Sequence, residues 1–227
     1  MNNSQTLTLY YIVIVSQIIG GLGNQMFQYA AGLALANKHG QPLLLDIRLF
    51  DNYDLRPEGF LLDKVFKIDA NIAEAICIRN MFGWRTSRIG HRILREKYFS
   101  FLRGENYKVQ NGMDFTNDFF ELPSSCYLSG YWQSERYFKE YENLIREHFT
   151  FTAPMNKCNL DIVKQIQGIS GAVSLHVRRG DYIWNNHTNS IHGVCSADYY
   201  QKAMSLIAKH VFDPVYFVFS DDLDWVK

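Results

Sequence analysis

The chain has 227 residues, 47% apolar and 20% charged, with 23 Lys+Arg against 23 Asp+Glu and a formal net charge of zero. This composition excludes disordered, collagen-like and disulfide-scaffold chains. The even charge balance excludes a nucleic-acid binder that works through an overall basic field, so no nucleic-acid partner is expected.

The apolar run at residues 7–19 is shorter than the ~20 residues a membrane-spanning helix needs. The first six residues carry no cation, so a signal peptide is not expected either. Residues 1–11 read as an N-terminal extension, and the β-branched stretch 12–19 as a buried strand. A glycine turn (Gly20, Gly21, Leu22, Gly23, Asn24) leads into a helix over 25–38, with Met26, Tyr29, Ala30, Leu33 and Ala34 on one face. Gly40 and Pro42 stop that helix, and residues 43–46 form a second strand. Strand, helix, strand in this order is a βαβ unit, which predicts a parallel sheet and the α/β class.

Residues 51–59 are turn-rich. Residues 71–101 resist assignment but carry Arg79, Arg85, Arg88, Arg92, Arg95 and Lys97, either a solvated helix face or a surface for anionic membrane. Residues 137–148 read as a helix, and 152–159 as a polar linker between a domain at 12–155 and another at 160–227. The second domain starts with a strand at 172–177. A helix follows at 198–210, with Ser196 as its cap, and then a strand at 215–219. Two strands and one helix cover a parallel sheet poorly, so the second domain is expected to be incomplete.

Cys77, Cys126, Cys158 and Cys195 are far apart and form no CxxC pair. Zinc-ligand spacing is therefore absent, and mostly buried, reduced thiols in a cytosolic protein are expected. The glycosylation sequons at Asn2 and Asn186 would matter only in a secretory compartment.

Four segments carry chemistry. Gly20–Gln25 joins a strand to a helix start, where Gly21 and Gly23 let a ligand reach free backbone N–H groups; alternatively it is a tight turn capped by Asn24. The second, His176-Val177-Arg178-Arg179-Gly180-Asp181-Tyr182, lies where a buried strand leaves the sheet. Paired arginines there suit an anion, or else form a surface ion-pair cluster. Strand periodicity puts His176 and Arg178 on one face and Arg179 on the other unless the strand ends first. In the third, Phe219-Ser220-Asp221-Asp222, the carboxylates follow a strand and read guanine, bind a metal, or cap a short helix near Trp225. The fourth, Gly130 to Phe138, sets Tyr131 and Trp132 beside Gln133, Ser134 and Glu135, suited to a sugar face or to a core with a helix start.

Taken together, these segments resemble the alpha-1,2-fucosyltransferases of glycosyltransferase family 11, marked by GGLGNQ(M/L)FQYA, GYWQSE(K/R)YF, HxRRGDY and FSDD before a Trp. The four occur in order between Gly20 and Trp225. The resemblance implies a GT-B-like architecture of two Rossmann-like domains, an acceptor-side domain at 12–155 and a GDP-fucose domain at 160–227. It implies inverting transfer of L-fucose from GDP-fucose to the 2-hydroxyl of a terminal β-galactoside, without a metal.

By the same resemblance, Arg178, His176 and Asn24 are the catalytic candidates. Arg178, Arg179, Asp181, Gly21, Gly23, Gln25, Ser220, Asp221 and Asp222 are donor-binding candidates, and Tyr131, Trp132, Gln133 and Glu135 face the acceptor. A cytoplasmic setting at the inner face of a bacterial membrane, with a lipid-linked acceptor and peripheral membrane contact, completes the expectation. The family continues past residue 227 with a serine- and tryptophan-rich motif, so a C-terminally truncated member is expected. The competing readings are an inactive nucleotide-sugar or glycan-binding fragment, and a GDP-fucose transferase with a non-galactoside acceptor.

Overall fold

Ile14–Gln17 (β1) is buried along its whole length, as a strand covered on both faces must be. The computed structural model describes residues 12–51, 59–184, 189–190 and 193–227. The extension at 1–11, most of the turn-rich 51–59 segment and both sequons lie outside them. The chain divides into two compact units, Met1–Ala153 and Pro154–Lys227.

In the first unit, β1 pairs in parallel with Leu43–Asp46 (β2) on one side and Cys126–Ser129 (β4) on the other. Tyr107–Val109 (β3) pairs in parallel with β4, giving the order β2-β1-β4-β3. Side chains alternate across this sheet. Ile14, Leu43, Leu45, Cys126 and Leu128 join one core cluster, while Val13, Val15, Tyr107, Val109 and Tyr127 join another. Helix α1 (Leu22–His39) covers the first face. It lies so close that a Cβ on Gly32 would come within 2.9 Å of Ser16 and Leu43 side-chain carbons. After the short helix α2 (Leu62–Val65), α3 (Ala75–Phe82) and α4 (Arg88–Arg95) send Ile78, Phe82 and Leu94 into the second cluster.

The sequence reading needs correction at several points. β1 is shorter than residues 12–19. Helix α1 begins three residues before the expected start, with Gly21 as its N-cap, so Asn24 lies inside the helix and does not cap it. The 137–148 segment is two 3₁₀ turns followed by α5 (Glu142–His148). Of the four thiols only Cys126 is buried; Cys158 and Cys195 are exposed.

The second unit has two parallel strands, β5 (Ala172–Val177) and β6 (Val215–Ser220), in the register Ala172↔Val215 to Val177↔Ser220. α6 (Lys157–Gln167) starts inside the stretch read as a linker, because the Asn156 side chain accepts from the Asn159 N–H and caps it. The Ser196 hydroxyl caps α8 (Ala197–Ile207) as the sequence predicts. Between them lies the short α7 (Gly180–Trp184), and α9 (Leu223–Val226) follows β6.

Candidate functional site

Parallel sheets bind ligands at the carboxyl ends of strands, where the strand order reverses. In the first unit that point lies between β1 and β4, since β2 follows β1 on one side while β4 returns to its other side. Two of the four segments meet there: Gly20–Gln25 leaves β1, and Gly130–Gln133 leaves β4. Gln133 Nε2 donates to Asn24 Oδ1 at 2.6 Å, and Gln28 Nε2 donates to the Gly130 carbonyl at 3.1 Å. Gln110, just past β3, accepts from the N–H groups of both Tyr131 and Trp132, each at 2.8 Å. A cavity of about 520 Å³ opens beside them, lined by Ile19, Arg95, Lys97, Gln110, Gly130 and Tyr131.

Within this group the side chains divide by exposure. Asn24 is half-buried, Gly23, Tyr131, Gln133 and Glu135 are exposed, and a Cβ on Gly23 would meet nothing within 4 Å. Gln25 and Trp132 are fully buried. Gln25 Nε2 donates to the carbonyls of Gly20 and Gly59, and its Oε1 accepts from the Leu61 N–H. Trp132 packs on Phe119 and Tyr137 at 5.1 and 5.4 Å between ring centroids. Its φ of 53° is one that non-glycine residues rarely adopt, so packing and the Gln110 contact hold it there.

Beneath the strand ends runs a buried polar network. Arg48 grips Asp46 through two nitrogens, at 2.8 and 2.7 Å, and the Tyr127 hydroxyl donates to Asp46 Oδ2 at 2.6 Å. Gln17 Nε2 reaches His91 Nε2 at 3.2 Å, the Ser129 hydroxyl donates to Gln17 Oε1 at 2.9 Å, and Tyr107 Oη lies 2.6 Å from His91 Nδ1. Burial pushes the Asp46 carboxyl up, but the hydrogen bonds from Arg48 and Tyr127 outweigh it and hold the group below the usual carboxylate range. Burial pushes the His91 imidazole down to about 4, so it is neutral near pH 7.

In the second unit the other two segments meet at the carboxyl ends of β5 and β6. The strand ends at Val177, and the chain turns over an aspartate: Asp221 Oδ1 accepts from the backbone N–H groups of Arg179 and Gly180, at 2.8 and 3.1 Å. Those two N–H groups hold the Asp221 carboxyl below its ordinary pKa. Gly180 sits so tightly here that a Cβ would fall 2.7 Å from Asp221 Oδ2.

The two arginines then part. Arg179 Nε lies 3.0 Å from Asp222 Oδ2, its guanidinium 4.3 Å from the Trp225 ring centroid, with its side chain only 17% exposed. Arg178 pairs with Asp221 Oδ2 at 3.3 Å and lies over Tyr182, yet its side chain is 51% exposed. His176 is also exposed; Asp181 falls in α7, and its side chain is outside the described atoms. Among the described residues, no three His, Cys, Asp or Glu side chains converge as metal ligands, and no helix is long and apolar enough to cross a membrane.

The profile of glycosyl transferase family 11 matches residues 9–227. The chain belongs to this family. Over 95% of its length it is 37% identical to an alpha-1,2-colitosyltransferase of Escherichia coli, spanning 71% of that protein. It is 32% identical over 93% of its length to the O-antigen biosynthesis glycosyltransferase WbnK of Escherichia coli, spanning 74% of it. Galactoside alpha-(1,2)-fucosyltransferase 1 of Saimiri sciureus is 26% identical over 92% of this chain, which spans half of that enzyme.

In this glycosyltransferase, several of the residues singled out in the sequence have protein partners of their own. Gln25 shapes the loop behind the glycine turn, because both ends of its amide are committed to backbone. Trp132 is core, leaving Tyr131, 38% exposed, as the aromatic at the surface. Glu135 pairs with Lys139 on the surface. Asp222 caps α9 by accepting from the Trp225 N–H and also holds Arg179, while Ser220 bonds within the same turn. Asp221 and Asp222 build the turn that carries the arginines. Sequence reasoning missed Gln17, Asp46, His91, Gln110, Tyr127 and Ser129. Their only signal is polar residues inside apolar strands, as at Gln17 and Asp46.

The glycosyltransferase should lose stability in mild acid through His91. Its folded pKa of about 4 lies below the unfolded value of 6.5, so between these values the unfolded chain binds the extra proton. Stability is full above pH 6.5 and falls toward pH 4, by roughly 3 kcal/mol at most for this one group. Urea unfolding at pH 7 and pH 5 should show the loss, and His91→Gln should flatten it. An equal slope in that variant would count against His91 as its source.

Proposed function

We propose that the chain performs inverting transfer of L-fucose from GDP-fucose to the 2-hydroxyl of a terminal β-galactoside, in glycan or surface-polysaccharide synthesis. The observation that carries this is Arg178: a half-exposed guanidinium at the carboxyl end of β5, aimed by a carboxylate that backbone N–H groups hold in place. In the displacement, the acceptor oxygen bonds to the fucose anomeric carbon from the side opposite the diphosphate. The bond from that carbon to the diphosphate oxygen breaks, the hydroxyl proton leaves to a base, and GDP departs with its charge. A β-linked donor thus gives an α-linked product. A fixed guanidinium stabilises the departing charge without reorganising, which supports transfer without a divalent cation.

The first unit supplies the acceptor side in this reading, through Asn24, Tyr131 and Gln133, within a GT-B-like pair of domains. The names of the relatives support an alpha-1,2 linkage and an O-antigen setting. One of them also favours a second donor, since colitose is fucose lacking the 3-hydroxyl.

The test is to incubate the chain with a β-galactoside and either GDP-fucose or GDP-colitose, then to measure GDP release and the product linkage. Alpha-1,2 product from GDP-fucose, undiminished by EDTA, is the expected result. Product from GDP-colitose alone would transfer the proposal to that sugar. Transfer to a peptide or chitin-like acceptor alone would overturn the galactoside assignment, and binding without turnover would reduce the chain to a binding fragment.

A further inference from the structure

We propose that residues 75–102 form a docking surface for an anionic lipid bilayer. The argument begins with burial. Large apolar side chains usually leave water, yet the 3₁₀ segment Lys97–Leu102 buries none of its residues. Tyr98 is 89% exposed and Phe101 77%, and nearby Ile89 is 73% and Trp84 51% exposed.

These side chains stand on an anchored base. Ile78, Phe82 and Leu94 are in the core, Arg103 Nε donates to the Leu94 carbonyl, and Arg85 Nη1 donates to the Arg103 carbonyl. On α4, the buried Gly90, His91 and Leu94 define the inward face, so helical spacing turns Arg88, Ile89, Arg92 and Arg95 outward together.

The charges select the occupant. Arg79, Arg88, Arg92, Arg95 and Lys97 make no side-chain hydrogen bond or ion pair with any described residue, and the acids near them are Glu96 within the stretch and Glu74 and Glu105, exposed at its two ends. Exposed Trp, Tyr and Phe interleaved with cations match the chemistry of a bilayer interface. There the rings sit at headgroup depth and the cations meet anionic lipid. A second copy packed on the same patch by a two-fold axis would place these cations against the same cations. Arg95 and Lys97 also line the cavity at the sheet's carboxyl ends, so the surface is continuous with that cavity.

The test is sedimentation of the chain with phosphatidylcholine vesicles, with and without phosphatidylglycerol. Binding is expected only with phosphatidylglycerol and should weaken as salt rises. Each arginine removed, as in Arg88→Gln or Arg92→Gln, should weaken binding about fivefold. Tyr98→Ser with Phe101→Ser should weaken it further, whereas Phe212→Ser, at a 96% exposed position in the other unit, should leave it unchanged. The absence of binding to phosphatidylglycerol vesicles, or binding that survives these substitutions, would overturn the proposal. So would a dimer in solution that Tyr98→Ser and Phe101→Ser dissociate, because a second copy would then cover the face.

Discussion

Arg178→Ala is expected to weaken GDP binding by about 2–4 kcal/mol, roughly 30- to 1,000-fold, the usual cost of removing a charged partner from a phosphate contact. Folding should hardly change, because the side chain is 51% exposed and Asp221 keeps its two backbone donors. Arg179→Ala is expected to behave in the opposite way. That arginine bridges Asp222 and the Trp225 ring, so its loss should lower the melting temperature first and affect GDP binding through a loosened turn. Calorimetry with GDP, paired with thermal melts of both variants, separates the two roles. Equal losses of GDP affinity at unchanged stability would remove the distinction.

Trp132→Ala is expected to cost about 3–5 kcal/mol in stability, the range for deleting a buried aromatic side chain. The indole is fully buried against Phe119 and Tyr137. The same change should raise KM for the acceptor more than KM for the donor. The Trp132 backbone N–H is one of two held by Gln110, and the next residue, Gln133, reaches Asn24. Trp132→Phe keeps a ring and should lose less on both counts. Urea unfolding gives the first number and initial-rate kinetics the second; a loss below about 1 kcal/mol would mean that the core tolerates the gap.

Much of the framework is legible before folding. Residues 172–177 and 215–219 are rich in β-branched and aromatic residues and form strands as expected, although 172–177, read as buried, is mostly half-buried or exposed, as is 215–219. Ser196 caps its helix because a hydroxyl placed just before a helix accepts one of the N–H groups left over there. Strands β3 and β4 escape this kind of reading. Three and four residues are too few to show a period, and Cys126-Tyr127-Leu128-Ser129 has neither alternation nor a glycine before it. The buried network is equally hidden, since Ser129 meets Gln17 across 112 positions and Asp46 meets Tyr127 across 81.

Local chemistry alone dictates the α/β class and the placing of glycine and arginine segments at strand ends. These follow from short-range sterics, capping and apolar periodicity, all of which act over a few residues. Which member of each pair meets solvent is decided only by tertiary contacts. Arg178 and Arg179 are identical in chemistry, and Tyr131 and Trp132 are both large aromatics with one polar group. Asp222 and Trp225 draw one arginine inward, and Phe119 and Tyr137 bury one of the two aromatics, because burial depends on partners that the chain brings from far along its length.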